Sequence, residues 1–140
     1  MSEAAQRGLL RTHHHVRPGD IDALGHLNHG RAIELFELGR YDWMTRHALV
    51  LDSACLPVVT RVDVNYHREV YLSEVSIGTR LRTIRHYGLE FEQTIGTQDS
   101  DRAAVIGSVW ISIIDRENRR PVRLRSLAVV EQMQALLEGI

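Results

Sequence analysis

The chain has 140 residues, of which 44% are apolar and 25% charged, the composition of one globular domain with its own core. A formal net charge of −1 excludes a strong overall attraction to nucleic acid or to a membrane surface, and no stretch approaches the roughly 18 apolar residues of a membrane span. The single cysteine, Cys55, excludes an internal disulfide, and the N-terminus lacks a signal-peptide pattern, so we expect a cytoplasmic protein.

The N-terminal part of the chain predicts a flexible tail followed by a first strand. Residues 1–8 form the predicted tail, and residues 9–140 a single domain that begins with a strand from Leu9 to Val16. Three consecutive histidines, His13 to His15, lie in this strand. Because successive strand residues point to opposite faces, they cannot all bind one ion, and we predict no metal site.

The next stretch, Arg17 to Gly30, concentrates polar side chains just before a predicted helix. Its carboxylates, histidines and amide are Asp20, Asp22, His26, Asn28 and His29. A carboxylate can activate water or attack directly, and free N–H groups at a helix start can hold an oxyanion, as acyl transfer requires. The structural alternative is that Asn28 caps the helix and the two aspartates are turn residues.

Helical spacing of apolar residues extends from this loop to His47. One predicted stripe contains Ile33, Phe36, Gly39, Arg40, Trp43 and His47, widened by Ala32, Leu35 and Met44. A connecting loop, Ala48 to Leu56, carries Cys55, which we interpret as a small buried hydrophobe because nothing basic adjoins it.

Four further strands follow the predicted helix. Val58 to Val70 alternates between an apolar face, which should cover the helix, and a polar face with Asn65 and His67. Val75 to His86 and Leu89 to Thr97 also alternate, and Ala103 to Ile114 is apolar on both faces, which predicts a central, covered strand. Short turns between these strands favour an antiparallel meander packed on one helix.

The C-terminal segment is rich in arginine, and the whole chain contains no lysine. Residues 116–125 hold five arginines against one glutamate, which suits the phosphates of coenzyme A or an acidic acyl carrier protein. Nucleic acid is disfavoured because the segment has no aromatic side chains to stack on bases. The plain alternative is a solvated turn. Ser126 to Leu137 then predicts a short amphipathic helix capped by Ser126.

Residues 20–28 form the pattern D-x-D-x-x-G-H-x-N, and a helix carrying Glu37 and Arg40 follows. This combination resembles the hot-dog-fold acyl-CoA thioesterases over residues 9–137, and most closely their 4-hydroxybenzoyl-CoA thioesterase and YbgC-like branch. The resemblance implies an α+β hot-dog fold, in which a five-stranded antiparallel sheet wraps around one long central helix and a short C-terminal helix follows. It also implies hydrolysis of an acyl thioester to free acid and thiol.

The resemblance assigns roles to the loop residues. The family's catalytic carboxylate is the second aspartate of the pair, which corresponds to Asp22 and acts as general base or nucleophile. His26 and Asn28 would orient the water, the carboxylate or the carbonyl, and the backbone N–H groups of Asn28 and His29 would form the oxyanion hole. No metal or redox cofactor is required, because coenzyme A or phosphopantetheine belongs to the substrate.

The resemblance also implies a homo-oligomer, at least a dimer, whose active sites are built from both subunits. The strand Val58–Val70 would lie at a sheet edge and pair with its twin, which makes Asn65 and His67 substrate-binding candidates near the interface. The alternative for this face is solvation. Arg119 and Arg120 are the candidates for the substrate's phosphates, whether on acyl-CoA or on an acylated carrier protein.

Two other functions on the same fold remain open. A dehydratase or hydratase acting on acyl thioesters would use an acid on the helix, such as Glu34 or Glu37. A non-catalytic acyl-binding protein would lack the carboxylate that Asp22 supplies here.

The sequence departs from the family at three positions. His29 replaces a common asparagine, Ala32 replaces a common tyrosine and enlarges the expected acyl pocket, and Gly39 replaces a frequent alanine.

Overall fold

A computed structural model of the chain describes residues 8–137. Its elements, in chain order, are β1 (Leu10–His15), α1 (His29–Arg46), β2 (Cys55–Tyr66), β3 (Glu74–Ile84), β4 (Gly88–Thr97), β5 (Val105–Asp115) and α2 (Val130–Leu137), with 3-10 turns at Pro18–Asp20 and Leu124–Ser126. The predicted tail lies outside the described residues except for Gly8. No helix in the described part of the chain is both long and apolar enough to cross a membrane.

The five strands form one antiparallel sheet in the order β1-β3-β4-β5-β2. The sheet packs on α1, and α2 follows at the C-terminus, which confirms the predicted hot-dog architecture. The two edge strands are β1 and β2, so the prediction that the second strand lies at an edge is confirmed. In β1, His13 approaches Glu74 and His14 approaches Asp20, because neighbouring strand residues face opposite ways.

The core lies between α1 and the concave face of the sheet. Phe36 and Trp43 are fully buried, and the Trp43 ring meets the Phe91 ring edge-on at a centroid distance of 5.1 Å. The predicted stripe of α1 is confirmed except at Ile33, which is 37% exposed. Gly39 allows a close approach to the sheet, since a Cβ there would lie 2.6 Å from Thr79 Oγ1.

The predicted positions of β2 and β5 need correction. Strand β2 begins at Cys55, inside the predicted loop, and ends at Tyr66. A register shift between Val59 and Arg61 breaks its alternation. Val58, Val59 and Val62 are exposed, whereas Val64 is partly buried against the core, so only part of the predicted apolar face covers the helix. Strand β5 lies between β4 and β2, and only one of its two apolar faces is buried. The strand at the centre of the sheet is β4.

The C-terminal helix also differs from its prediction. Residues Leu124–Ser126 form a 3-10 turn, and α2 begins only at Val130. Ser126 therefore does not cap a helix, and its hydroxyl instead donates to the Arg123 carbonyl at 2.6 Å. Burial of Val130 and Met133 anchors α2 to the core.

Candidate active site

A tight loop places Asp22 and His26 opposite each other just before α1. The Asp22 N–H donates to the His26 carbonyl at 3.0 Å, and the Gly25 N–H donates to the Asp22 carbonyl at 3.1 Å. Gly25 has a φ of +87°, a conformation that side-chain-bearing residues rarely adopt. The glycine of the sequence pattern thus closes the loop and brings the two functional side chains to its base.

Asp20 is buried and has a structural role in the loop. It is 3% exposed and accepts the Arg17 N–H at 2.9 Å, the forked guanidinium of Arg31 at 2.7 and 2.9 Å, and a contact from His14 at 3.3 Å. The Arg17 N–H, together with Arg31, lowers the pKa of the Asp20 carboxyl to about 2 against the desolvation that would raise it. Asp20 therefore ties the loop to α1 and is ionised at neutral pH.

Asp22 is placed differently, since its side chain is 22% exposed and faces a cleft. One carboxylate oxygen accepts the Leu24 N–H at 2.9 Å, and the other lies 3.9 Å from His26 Nδ1. The opposite ring nitrogen, His26 Nε2, lies 4.0 Å from Glu69 Oε1, and Glu69 in turn accepts the Tyr71 hydroxyl. His26 thus lies between two carboxylates, at distances longer than a hydrogen bond to either one.

Asn28 is the N-cap residue of α1. Its side-chain oxygen accepts the N–H groups of Gly30 at 2.8 Å and Arg31 at 3.3 Å. The Asn28 N–H, predicted as part of the oxyanion hole, instead donates to the Asp20 carbonyl at 2.9 Å in this structure. The His29 N–H has no hydrogen-bond partner within residues 8–137 and points out of the positive end of the helix.

Tyr66, at the end of β2, fixes the first turn of the helix from the other side. Its hydroxyl donates to the His29 carbonyl at 2.7 Å, and its ring meets the His29 ring edge-on at 6.5 Å. Sequence reasoning missed both Tyr66 and Glu69, because it continued the strand to Val70. The chain instead turns after Tyr66, and the Val70 carbonyl accepts the Leu27 N–H at 2.6 Å.

The cleft at Asp22 has a volume of about 440 Å³. Its lining is Asp22, Leu24, His26, Leu27, His29, Ala32, Tyr66, His67, Arg68, Glu69, Val70 and Val105. The predicted residues Asp22, His26, His29 and His67 therefore come together. Ala32 lies at this cleft, where a tyrosine would fill part of the space.

Three other predicted site residues lie elsewhere. Asn65 is exposed on β2 and, in the described structure, does not line the cleft. Arg119 and Arg120 belong to the turn after β5, whereas the cleft is at the opposite end of that strand. Ten residue intervals of β5 separate the two ends by roughly 33 Å. Within one chain, a substrate at Asp22 does not reach these two arginines.

A second, apolar cavity of about 190 Å³ lies between the later turns of α1 and strands β2, β4 and β5. Glu37 and Arg40 are its charged residues. Arg40 donates to Gln93 at 2.9 Å, and its partial burial lowers the pKa of the guanidinium. Glu37 and Arg40 form no ion pair within 4 Å in the described structure, whereas Glu34 pairs with Arg31. Glu37 is exposed at the rim of this cavity, where its carboxylate raises the pKa of the neighbouring Tyr41 hydroxyl.

Comparison with known proteins gives the family of this fold and sequence. The sequence matches the family described as the Thioesterase-like superfamily over residues 16–136. A DHNA-CoA thioesterase from Staphylococcus aureus has a TM-score of 0.83 at 20% identity, with 93% of each chain covered. A probable thioesterase from Bartonella henselae has a TM-score of 0.73 at 25% identity, with 83% of this chain and 97% of that chain covered.

A Staphylococcus aureus protein solved in complex with CoA has a TM-score of 0.83 at 16% identity, with 94% of this chain and 85% of that chain covered. At such identities the structural similarity shows a shared fold. No curated protein sequence matches the chain.

Proposed function

Because the chain belongs to the thioesterase-like superfamily, we propose that it hydrolyses an acyl-CoA thioester in the cleft at Asp22. The observation that carries this proposal is the difference between the two aspartates of the loop. Asp20 is enclosed by donors, whereas Asp22 faces the cleft beside a free N–H at the start of α1. A carboxylate and an oxyanion donor in one cleft are the two groups that thioester hydrolysis needs.

Asp22 would carry out the bond-making step in one of two ways. As general base, it takes a proton from water while the water oxygen attacks the thioester carbonyl. As nucleophile, its own oxygen attacks, the thiolate leaves, and water then hydrolyses the mixed anhydride. In both routes the C–S bond breaks, the carbonyl carbon gains oxygen, and the leaving thiolate takes up a proton. Neither route requires a metal or a redox cofactor.

Two neighbouring groups would support this step. The His29 N–H and the positive end of α1 would stabilise the oxyanion of the tetrahedral intermediate. His26, which lies 3.9 Å from Asp22 and 4.0 Å from Glu69, would orient the carboxylate toward the carbonyl carbon. Asn28 would act indirectly, because its side chain caps the helix whose first free N–H group is used.

We further propose that the protein is a homodimer formed through β2. This twelve-residue edge strand leaves a row of backbone groups unpaired and exposes Val58, Val59, Val62 and Tyr66. An exposed apolar edge of this length favours pairing with a second copy. Antiparallel pairing would also bring the cleft end of one β2 beside the opposite end of the other, because each strand runs reversed across the two-fold axis.

A second candidate reaction is hydration or dehydration of an acyl thioester. The observation that favours it is Glu37, which lines the apolar cavity and, among residues 8–137, has no ion pair with Arg40 within 4 Å. Such chemistry would leave the thioester intact and would depend on Glu37 rather than on Asp22. Thiol release and its loss on substitution of Asp22 distinguish the two candidates.

The test is a free-thiol release assay on aliphatic and aromatic acyl-CoAs, with the same acyl groups on carrier protein in parallel. We expect release from acyl-CoA that depends on Asp22, with a rate about 10²–10⁴-fold lower in the Asp22→Asn variant. Asp101→Asn, which removes an exposed carboxylate in the turn after β4, is the matched control and should retain the wild-type rate. Enoyl-CoA hydration without thiol release, abolished by Glu37→Gln, would instead establish the second candidate.

A further inference from the structure

The apolar cavity of about 190 Å³ beside the later turns of α1 is separate from the Asp22 cleft, and the two share no lining residue in the described structure. The fully buried Phe36 ring lies between them and closes α1 against β5, since a Cβ at Gly107 would lie 2.7 Å from Phe36 Cε2. Within one chain the cavity is therefore a space of its own, and the hydrolysis proposed at Asp22 assigns it no role.

The floor of this cavity is an apolar surface on the concave face of the sheet. Leu89 and Phe91 of β4 form it together with Ile111, the partner of Leu89 on β5. The exposed lining residues Tyr41 and Val59 mark its mouth, between α1 and β2. A cavity of about 150 Å³ with a lining of leucine, isoleucine and phenylalanine is large enough to bind benzene. The volume and the lining therefore suit one aromatic ring or a short aliphatic chain.

Arg40 brings a positive charge to this apolar space. Its Nη1 donates to Gln93 Oε1 at 2.9 Å, and Gln93 follows Phe91 on the same face of β4. The orientation of the Gln93 amide is fixed, because its Nε2 donates to the Phe36 carbonyl at 2.7 Å and to the Thr79 hydroxyl at 2.9 Å. The guanidinium is therefore held at one end of the cavity floor.

The charge of Arg40 has no close counter-charge. Within residues 8–137, no carboxylate lies within 4 Å of its guanidinium, and Gln93 Oε1 is the only acceptor that it reaches. Glu37, three residues earlier on α1, is exposed, and its hydrogen bond to the Tyr41 hydroxyl raises the pKa of that group. Burial lowers the pKa of the Arg40 guanidinium, because water solvates this cation poorly. A poorly solvated cation with unused N–H donors attracts an anion strongly.

We propose that this cavity binds a small apolar molecule that carries a carboxylate, with its apolar part on the cavity floor and its carboxylate on Arg40. The bond to Gln93 uses Nη1, which leaves the edge formed by Nε and Nη2. That edge matches a carboxylate through two parallel N–H···O bonds. A neutral molecule of the same shape would fill the cavity and leave these donors unused, so the charge decides which ligand binds.

Two kinds of molecule carry this chemistry. One is a free aromatic or short-chain acid, which binds as a product or an effector. The other is a thioester whose acyl group ends in a second carboxylate. Such a group would arrive from the Asp22 cleft of a second copy, because antiparallel β2 pairing brings that cleft beside the Val59 end of this strand. The second source rests on the proposed function and on the β2 dimer, whereas binding of a carboxylate at Arg40 rests on neither.

The first test is calorimetric titration with benzoate and hexanoate, and with benzyl alcohol and hexanol as neutral probes of the same size. We expect both carboxylates to bind the wild type and to bind Arg40→Gln about 10- to 100-fold more weakly, with the affinity for the alcohols unchanged. Arg125→Gln, which removes an exposed arginine elsewhere, should bind like the wild type. Equal affinities of the wild type and Arg40→Gln for the carboxylates, or no binding of either carboxylate, would overturn the proposal.

Two further variants separate lost binding from lost folding, with urea midpoints measured for each. Arg40→Lys keeps the charge and removes the forked geometry, so its affinity for the carboxylates should lie between those of the wild type and Arg40→Gln. Met44→Trp leaves Arg40 intact and fills the cavity from the next turn of α1, so it should lose the carboxylates and the alcohols alike. A Met44→Trp variant with the wild-type midpoint and unchanged binding would place the ligand outside the cavity and overturn the proposal.

Thiol-release kinetics on adipyl-CoA and hexanoyl-CoA, which have the same chain length, separate the two sources. A substrate carboxylate on Arg40 predicts that Arg40→Gln raises KM for adipyl-CoA about 10- to 100-fold and leaves KM for hexanoyl-CoA unchanged. A free acid predicts equal KM values for the two proteins on both thioesters, and inhibition by hexanoate that Arg40→Gln relieves. Carboxylate binding without thiol release from any thioester would overturn the proposed hydrolysis and leave this site standing. Thiol release without Arg40-dependent binding would do the reverse.

Discussion

Replacing Asp20 with asparagine removes a charge from the loop before α1 and keeps the shape of the side chain. The Arg17 N–H and the Arg31 guanidinium hold the pKa of this carboxyl at about 2, against 3.8 for a free side chain. Lowering the pKa from 3.8 to about 2 corresponds to about 2 kcal/mol of folding free energy at neutral pH. Because the folded pKa is depressed, this stabilisation is complete above about pH 4 and is lost as the pH falls toward 2.

Urea unfolding of the wild type and of Asp20→Asn at several pH values measures this contribution. At pH 7 the variant should lose about 2 kcal/mol of unfolding free energy, or roughly 5–10 °C in Tm. The difference should shrink below pH 4, because protonation then removes the same charge from the wild type. Asp101→Asn should unfold like the wild type throughout. Equal stability of Asp20→Asn and wild type at pH 7 would refute the anchoring role of Asp20.

Three further predictions concern the helix, the edge strand and the chemistry. Gly39→Ala should lower the unfolding free energy measured in urea by about 1–2 kcal/mol, because the clash of a Cβ 2.6 Å from Thr79 Oγ1 outweighs the gain in helix propensity of about 1 kcal/mol. A stabilised variant would contradict this packing. Val62→Lys should yield monomers in sedimentation velocity, whereas Leu24→Lys, which makes the same change from an apolar to a charged residue on the exposed loop, should leave the dimer intact. A Val62→Lys variant that remained a dimer would exclude the β2 interface. Dialysis against EDTA should leave thiol release unchanged, and a loss restored by added metal would show that Asp22 does not act alone.

The fold could be predicted from the sequence because its main signals are local. Alternating apolar residues predicted β3 and β4 closely, and helical spacing up to His47 predicted α1, which the structure places at His29–Arg46. The failures have non-local causes. A register shift after Val59 redirects the side chains of β2. Whether both apolar faces of β5 are covered depends on the elements packed against them, which the residues of β5 alone do not specify.

The candidate site was predictable in its residue types and less so in their partners. The pattern around Asp22 and His26 predicted two side chains that the structure brings to one cleft, and its Gly25 adopts the positive φ that closes the loop between them. It did not reveal that the Asn28 N–H is taken by the Asp20 carbonyl, because the loop's path decides that bond. Glu69 could not be predicted as a site residue, because it comes close to His26 only through the turn of the chain after β2.

The most direct measurement of the central claim is kcat/KM for the best acyl-CoA, together with the urea midpoint, on Asp20→Asn and Asp22→Asn side by side. We predict that Asp22→Asn loses about 10²–10⁴ in kcat/KM and keeps the wild-type midpoint, because it removes the reacting carboxylate alone. Asp20→Asn should show the lower midpoint and a much smaller loss of activity. An Asp22→Asn variant that retains near wild-type kcat/KM would contradict the assignment of the reaction to this carboxylate.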